Sequence, residues 1–242
     1  GLIKRSPWTA AAFLVGALSI AALPPFNGFV SEWLLFQSFL PGVASPRASV
    51  AILLTLGVGA LALTGGLAAA TSVKAFGTGF LAMARSPEAG RAHEAGWPMR
   101  AGMGILAVAC PVLAVLSIPL LAVIAGAVGS LGRLPAPSGA ASSWLVFETP
   151  QAMARMSPLA IVAVFAGVAV AAALVTGLRP RRRIDDTWGC GRIVHTPRME
   201  YTSTAFAEPL RRIFGELYRP TEDLSVTVHA GSPYHISAIT YR

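Results

Sequence analysis

Apolar residues gather along the chain into four long regions, separated by connections rich in proline, glycine and basic residues. The first runs from Trp8 to Leu40 and is interrupted at Leu23-Pro24-Pro25-Phe26-Asn27-Gly28. The second runs from Ala48 to Ala70, with a helix expected to continue toward Phe80. The third covers Ala101 to Ile124, where Pro111 and Pro119 are expected to kink a single span. The fourth spans Pro158 to Leu178 and stops at Arg179-Pro180-Arg181-Arg182-Arg183. Each of the last three reaches the roughly 20 residues that a helix needs to cross a bilayer core.

The two halves of the first region, Trp8–Ala22 and Phe26–Leu40, make about 22 Å of helix each, short of a core about 30 Å thick. Two arrangements follow: a hairpin of two short spans, or one crossing built from two half-helices around an unwound centre. Basic residues discriminate between them. In a single broken crossing, Lys4, Arg5, the basic residues of Lys74–Arg100 and those of Arg179–Arg183 share one side, ten against three (Arg47, Arg133 and Arg155). A hairpin leaves eight against five. The positive-inside rule therefore favours one discontinuous helix, with the basic loops in the cytoplasm.

Composition agrees. Hydrophobic residues make up 54% of the 242 positions and charged residues 12%, with a mean hydropathy of +0.62. So few charges cannot cover a soluble surface of this size, which excludes disorder, a disulfide scaffold and an ordinary cytosolic enzyme. The net charge of +8 comes from bases clustered beside the apolar regions, where membrane orientation and anionic lipid explain them better than nucleic acid does. Cys110 and Cys190 are too far apart in character and sequence to suggest a metal site or a disulfide framework. Because Lys4, Arg5 and Pro7 lead straight into an apolar run with no cleavage site, the chain reads as the C-terminal part of something longer. Beyond Ile184 the chain turns polar. Thr204–Tyr218 is expected to form an amphipathic helix, with Phe206, Leu210, Ile213, Phe214 and Leu217 on one stripe. Leu224–His229 and Tyr234–Tyr241 alternate like the arms of a hairpin.

Glu32 is the one acidic residue inside any apolar region, a turn past the break and flanked by Phe29, Trp33, Leu35 and Phe36. Holding a carboxylate in the bilayer costs roughly 2.5–3.5 kcal/mol on insertion scales, so a functional reading comes first. A broken helix also frees backbone groups that must line a polar cavity or be buried in protein, the arrangement that builds ion sites in transporters. The competing reading has Glu32 merely capping a half-helix that starts near the interface. Lys74, 26 residues after Ala48, lies about 39 Å along its helix, where snorkelling to the surface competes with a place at the mouth of a proton path. His93 and Glu94 read as a solvated pair in a loop. His195, His229 and His235 lack ligand spacing. Arg181, Arg182 and Arg183 act as a stop signal and a lipid-headgroup patch. Gly57, Gly59, Gly65 and Gly66 allow close helix packing. No nucleotide, haem, iron–sulfur or metal motif is present in the sequence, so no cofactor is expected and any redox chemistry lies in other subunits.

The run Leu23-Pro24-Pro25-Phe26-Asn27-Gly28-Phe29-Val30-Ser31-Glu32-Trp33 resembles the proton-translocating antiporter-like subunits shared by respiratory complex I, multisubunit sodium/proton antiporters and membrane-bound hydrogenases. Two further segments are similar to the branch of hydrogenase-4 component B and the formate hydrogenlyase membrane subunit. One is Val73-Lys74-Ala75-Phe76-Gly77. The other is Thr187-Trp188-Gly189-Cys190-Gly191, continuing through Thr196-Pro197-Arg198-Met199-Glu200-Tyr201 to Arg211-Arg212-Ile213-Phe214. The resemblance implies the C-terminal part of a fourteen-helix antiporter-like fold, in which the broken region is the discontinuous helix of the second inverted repeat. It also places the family's relay residue on Glu32, passing protons toward the periplasmic exit, with a weaker carry-over to Lys74. The first repeat and its lysine–glutamate pair are not among these residues.

The expected architecture is therefore an all-α polytopic membrane protein. Residues 1–126 would form the transmembrane core, with a discontinuous helix over about 8–40 and helices over about 48–80 and 101–124. Residues 127–157 would be a periplasmic connection, 158–178 an additional transmembrane helix and 179–242 a cytoplasmic tail. The expected function is proton translocation in the cell inner membrane, as a non-catalytic subunit of a hydrogenase-like or complex I-like oxidoreductase. Its partners would be other membrane subunits, peripheral redox subunits, the lipid bilayer and protons. Glu32 and Lys74 are the proton-relay candidates, and Pro24, Pro25, Asn27 and Gly28 form the helix break. Two other functions fit the same residues: a sodium/proton antiporter subunit with no redox partner, and a membrane anchor for a peripheral enzyme that moves no ion.

Overall fold

The computed structural model describes residues 1–130, 146, 155–177, 190–191, 195–219, 221–228 and 235–241. Two half-helices, α1 (Pro7–Ile20) and α2 (Asn27–Val43), are followed by the long α3 (Ala48–Phe76), which tightens into a π turn over Gly77–Leu81. A single turn, α4 (Pro87–Gly90), leads to α5 (Trp97–Val115), α6 (Ser117–Ser130) and α7 (Pro158–Gly177). A separate unit, Tyr201–Arg242, holds α8 (Ser203–Ile213), the short α9 (Gly215–Tyr218) and an antiparallel pair of strands. These are β1 (Glu222–Val228) and β2 (His235–Tyr241), with Glu222 opposite Tyr241 and Val228 opposite His235. Apart from that hairpin the described residues form helices and loops. Among the described residues three helices are long and apolar enough to cross a membrane: Ala48–Leu81, Trp97–Val115 and Pro158–Gly177. Their faces are largely uncovered, as lipid-facing helices require.

The packing along α3 decides between the hairpin and the broken crossing. Phe13 of α1 stacks on Phe76 and lies beside Phe80, and Ser72 Oγ donates to the Ala17 carbonyl at 3.4 Å. Further along, Glu32 lies against Gly65, Phe39 against Gly57 and Gly42 against Leu54. The two half-helices are thus laid end to end, antiparallel to one α3. Gly1 packs on the carbonyls of Phe80 and Ala82, which puts the chain's first residues beside the far end of α3. A hairpin would have left them at opposite ends. One discontinuous helix is therefore the observed arrangement, and Lys4, Arg5, Lys74, Arg85, Arg91 and Arg100 belong to elements that meet at its α1 end.

A small core locks α2 to the following helices. Val30, Ala114, Ile118 and Met156 are buried together, with Phe29, Trp33, Leu34, Leu121 and Ile161 packed around them. Since Met156 and Ile161 meet Ala114, where α5 is ending, α7 starts at that end and runs back toward the basic one.

The third apolar region is not one kinked span over 101–124 but two helices parted at Leu116. Pro119 has no N–H to give to Val115, and its ring crowds that carbonyl. Ser117, buried at the break, donates from Oγ to the Ala114 carbonyl at 2.6 Å. Pro111, by contrast, is carried inside α5. The amphipathic stretch Thr204–Tyr218 also divides, at Phe214, into α8 and α9. The strands begin and end within two residues of the arms expected from the sequence. Arg181, Arg182 and Arg183, and most of the 127–157 connection, lie outside the described residues, while α6 carries the helical core to Ser130.

Candidate functional site

The site is built on the turn Ala21–Phe26 between the half-helices. Neither proline can donate the backbone hydrogen bonds that would continue α1, and each disfavours helical geometry in the residue before it. The end of α1 is closed by the chain itself. The Ala22 N–H donates to the Ser19 carbonyl at 3.1 Å and the Leu23 N–H to the Leu18 carbonyl at 3.0 Å. This double bond pattern needs a left-handed residue, usually glycine, at the position that Ala22 fills with φ +51°. The Pro24–Pro25 peptide is cis.

The second half-helix begins by pressing onto the end of the first. A methyl group at Gly28 would collide with the Ser19 carbonyl oxygen, so only glycine permits the approach. Ser19, itself buried, donates from Oγ to Asn27 Oδ1 at 2.7 Å and ties the two ends together. Of the expected break residues, Pro24 and Pro25 stand in the turn, whereas Asn27 and Gly28 already open α2. Phe26 supplies no side-chain cap to α2. The first N–H groups of α2 and the last carbonyls of α1, with the opposite partial charges of helix ends, therefore converge on one turn.

Glu32 is the sixth residue of α2, and its half-buried side chain crosses to α3. A methyl group built on Gly65 would lie 3.3 Å from Oε2 and 3.6 Å from Oε1. Gly65 is 17 residues past the start of α3 and 11 before its end, about 26 Å and 17 Å along the axis. Glu32 is thus neither at a helix end nor capping one: its carboxylate meets the interior of the longest apolar helix. Among the described residues it has no hydrogen-bond or ion-pair partner.

Lys74 is half-buried two residues before the end of α3, nine residues or about 14 Å beyond Gly65. The structure does not bring it to Glu32. Between the two levels runs an open groove of about 590 Å³, walled by Phe13, Ala17 and Ile20 of α1 and, on α3, by residues that include Leu67, Ala68 and Ala75. Thr64, Thr71 and Ser72 place hydroxyls on its otherwise apolar wall.

Glu94 is a solvated loop residue, as expected, and the structure adds a tie to α1 that the sequence did not suggest. Its Oε2 accepts from the Trp8 N–H at 2.8 Å and its Oε1 from the Thr9 hydroxyl at 2.6 Å. Ser6, the residue in cap position, makes no cap bond of its own and donates to the His93 carbonyl at 3.2 Å. The loop before α5 therefore caps α1, satisfying amide groups that a helix start leaves open. The Thr9 hydroxyl is the largest influence on the Glu94 carboxyl; desolvation, the next largest, opposes it, and with the smaller help of the Ala95, Trp8 and Thr9 amides the carboxyl is held below its ordinary value of 4.5. Glu200 makes a second such tie, accepting from the Met83 N–H at 2.6 Å. Neither tie has a local sequence signal, because both join residues more than eighty positions apart. Among the described residues no group of histidines, cysteines or carboxylates is arranged to hold a metal.

A crossing broken into two half-helices and braced along a long apolar helix defines a polytopic membrane protein. Residues 1–72 match the family described as NADH:quinone oxidoreductase/Mrp antiporter, transmembrane. Over its whole length the chain is 42% identical to an uncharacterized protein of Mycobacterium tuberculosis, covering 38% of that protein. It is 32% identical to hydrogenase-4 component B of Escherichia coli, over 94% of this chain and 34% of the relative. It is also 32% identical to formate hydrogenlyase subunit 3 of Escherichia coli, over 100% of this chain and 38% of the relative. The chain belongs to the antiporter-like membrane subunit family of complex I, Mrp antiporters and hydrogenase-type complexes. It spans just over a third of the length of these relatives.

Proposed function

We propose that this chain carries part of a proton path in a membrane subunit of a hydrogenase-4-like or formate hydrogenlyase-like complex, in which electron transfer drives proton transport. The observation that carries the reading is the Glu32 carboxylate, set against the interior of α3 beside an unwound turn. An ionisable group so placed is costly unless it works. In this reading Glu32 takes a proton from the side of the basic loops and releases it toward the other side. Its occupancy answers to the charge of lysines elsewhere in the subunit. Lys74 stands at the mouth of the path, and the hydroxyl-bearing groove between α1 and α3 is the route from its level to that of Glu32. Pro24, Pro25, Asn27 and Gly28 keep the turn open. The other membrane subunits of the complex, the peripheral redox subunits, the lipid bilayer and protons are the partners. The basic loops and the tail lie in the cytoplasm beneath the inner membrane, and Arg181, Arg182 and Arg183 meet lipid headgroups.

The test is Glu32→Gln in the native complex reconstituted into vesicles. The amide keeps the shape but cannot ionise, so protons moved per electron should fall at least about tenfold. Wild-type proton transport per electron, with normal assembly, would contradict the proposal.

A further inference from the structure

Antiparallel packing of α2 on α3 matches large side chains of one helix to glycines of the other. Phe39 fits over Gly57, where a methyl group would stand 3.3 Å from its ring, and the Glu32 carboxylate fits over Gly65. Gly59 and Gly66 carry the same residue type, yet a methyl group at either meets nothing within 4 Å. The glycines of α3 are therefore not one uniform small-residue stripe. Two of them, eight residues apart and on the same side of the helix, each receive a specific side chain. Gly65 receives the only carboxylate among the apolar helices of the core.

We propose that Gly65 is a positioning residue for proton transfer at Glu32: its missing side chain forms the notch that sets where the carboxylate lies. This rests on the reading of Glu32 as the proton carrier. The geometry says which group would yield to a larger residue. A methyl carbon at 3.3 Å from Oε2 is closer than such carbons normally approach, so something must move by a few tenths of an ångström. The obstacle is the free end of a flexible side chain rather than backbone, so the carboxylate moves and the helices stay. Alanine is also a better helix former than glycine. Gly65→Ala should therefore leave assembly intact and fall on function. Proton transfer is sensitive to such displacement because donor and acceptor must come within hydrogen-bond reach, directly or through one water.

The experiment compares Gly65→Ala, Gly66→Ala and Glu32→Asp, and the double variant Gly65→Ala with Glu32→Asp, in the native complex in vesicles, reading protons moved per electron. Gly65→Ala should lower that ratio about threefold or more in the Glu32 background, a coupling of the size found between touching residues. Aspartate ends one methylene earlier and clears the added methyl, so adding Gly65→Ala to Glu32→Asp should cost nothing more. Gly66→Ala should behave as wild type. An equal loss from Gly65→Ala in both backgrounds, or no loss in either, would overturn the inference. If Gly65→Ala alone fails to assemble, assembly of the double variant supports the inference, and failure of both overturns it. Glu32→Gln separates the two claims. If it transports normally, the reading of Glu32 itself is wrong. If it blocks transport while Gly65→Ala leaves it untouched, only the role of Gly65 is wrong.

Discussion

Ala22 and Gly28 hold opposite conformational roles a few residues apart. Ala22 occupies left-handed backbone at φ +51°, a geometry costing an L-residue about 1–2 kcal/mol. Glycine would adopt it freely, so Ala22→Gly should stabilise the detergent-solubilised protein, raising its thermal midpoint. Gly28→Ala should do the reverse, since its methyl group meets a backbone carbonyl that has nowhere to go. A loss of about 1–3 kcal/mol is the usual scale of such overpacking, and thermal unfolding of the two variants measures both signs. The Pro-Pro-Phe-Asn-Gly run made the break legible in the sequence, because proline's missing donor and glycine's missing side chain have local consequences. Which glycine each neighbour needs was not legible. Gly57, Gly59, Gly65 and Gly66 are chemically identical, and only the antiparallel register of α2 on α3 separates the two that receive side chains from the two that face open space.

At the scale of elements, α1 is held by groups distant in sequence. Its first amides are satisfied by Glu94, whose carboxylate form the fold favours. Because the folded value lies below 4.5, this contribution is complete above the ordinary value and is lost as pH falls through the folded one. Glu94→Gln should therefore lower the thermal midpoint at neutral pH, and its difference from wild type should shrink under acid conditions. A constant difference across pH would show that the carboxylate charge is not what caps α1. The helices themselves were readable from apolar runs, and the amphipathic stripe of the tail from its 3.6-residue period. The division of the third region was not, because two prolines eight residues apart look alike in sequence. Pro111 sits within a helix that continues past it, whereas Pro119 follows Ile118, which turns into the core with Val30. Tertiary packing decided which proline became a break.

For the whole molecule, one broken crossing fixes which loops share a side. Single cysteines placed by Lys4→Cys, Ser45→Cys and Ser86→Cys, with Cys110 and Cys190 replaced by serine, should react with an impermeant reagent from two sides of the membrane. Lys4→Cys and Ser86→Cys should share one side, and Ser45→Cys should label from the other. Labelling of Lys4→Cys and Ser45→Cys from the same side would restore the hairpin. Charge asymmetry already favoured this topology, since basic loops read out orientation without any knowledge of packing. The depth of Glu32 required the structure, because a residue six positions into a half-helix lies at mid-span or at the surface according to where the break falls. A membrane-soluble carbodiimide tests that placement and its chemistry together, since it modifies carboxyl groups that are protonated away from water. In the native complex it should modify Glu32, identified by peptide mass, and stop proton transport in step with modification, while a water-soluble carbodiimide leaves Glu32 intact. Modification of Glu32 by the water-soluble reagent, or complete modification with transport unchanged, would contradict the account.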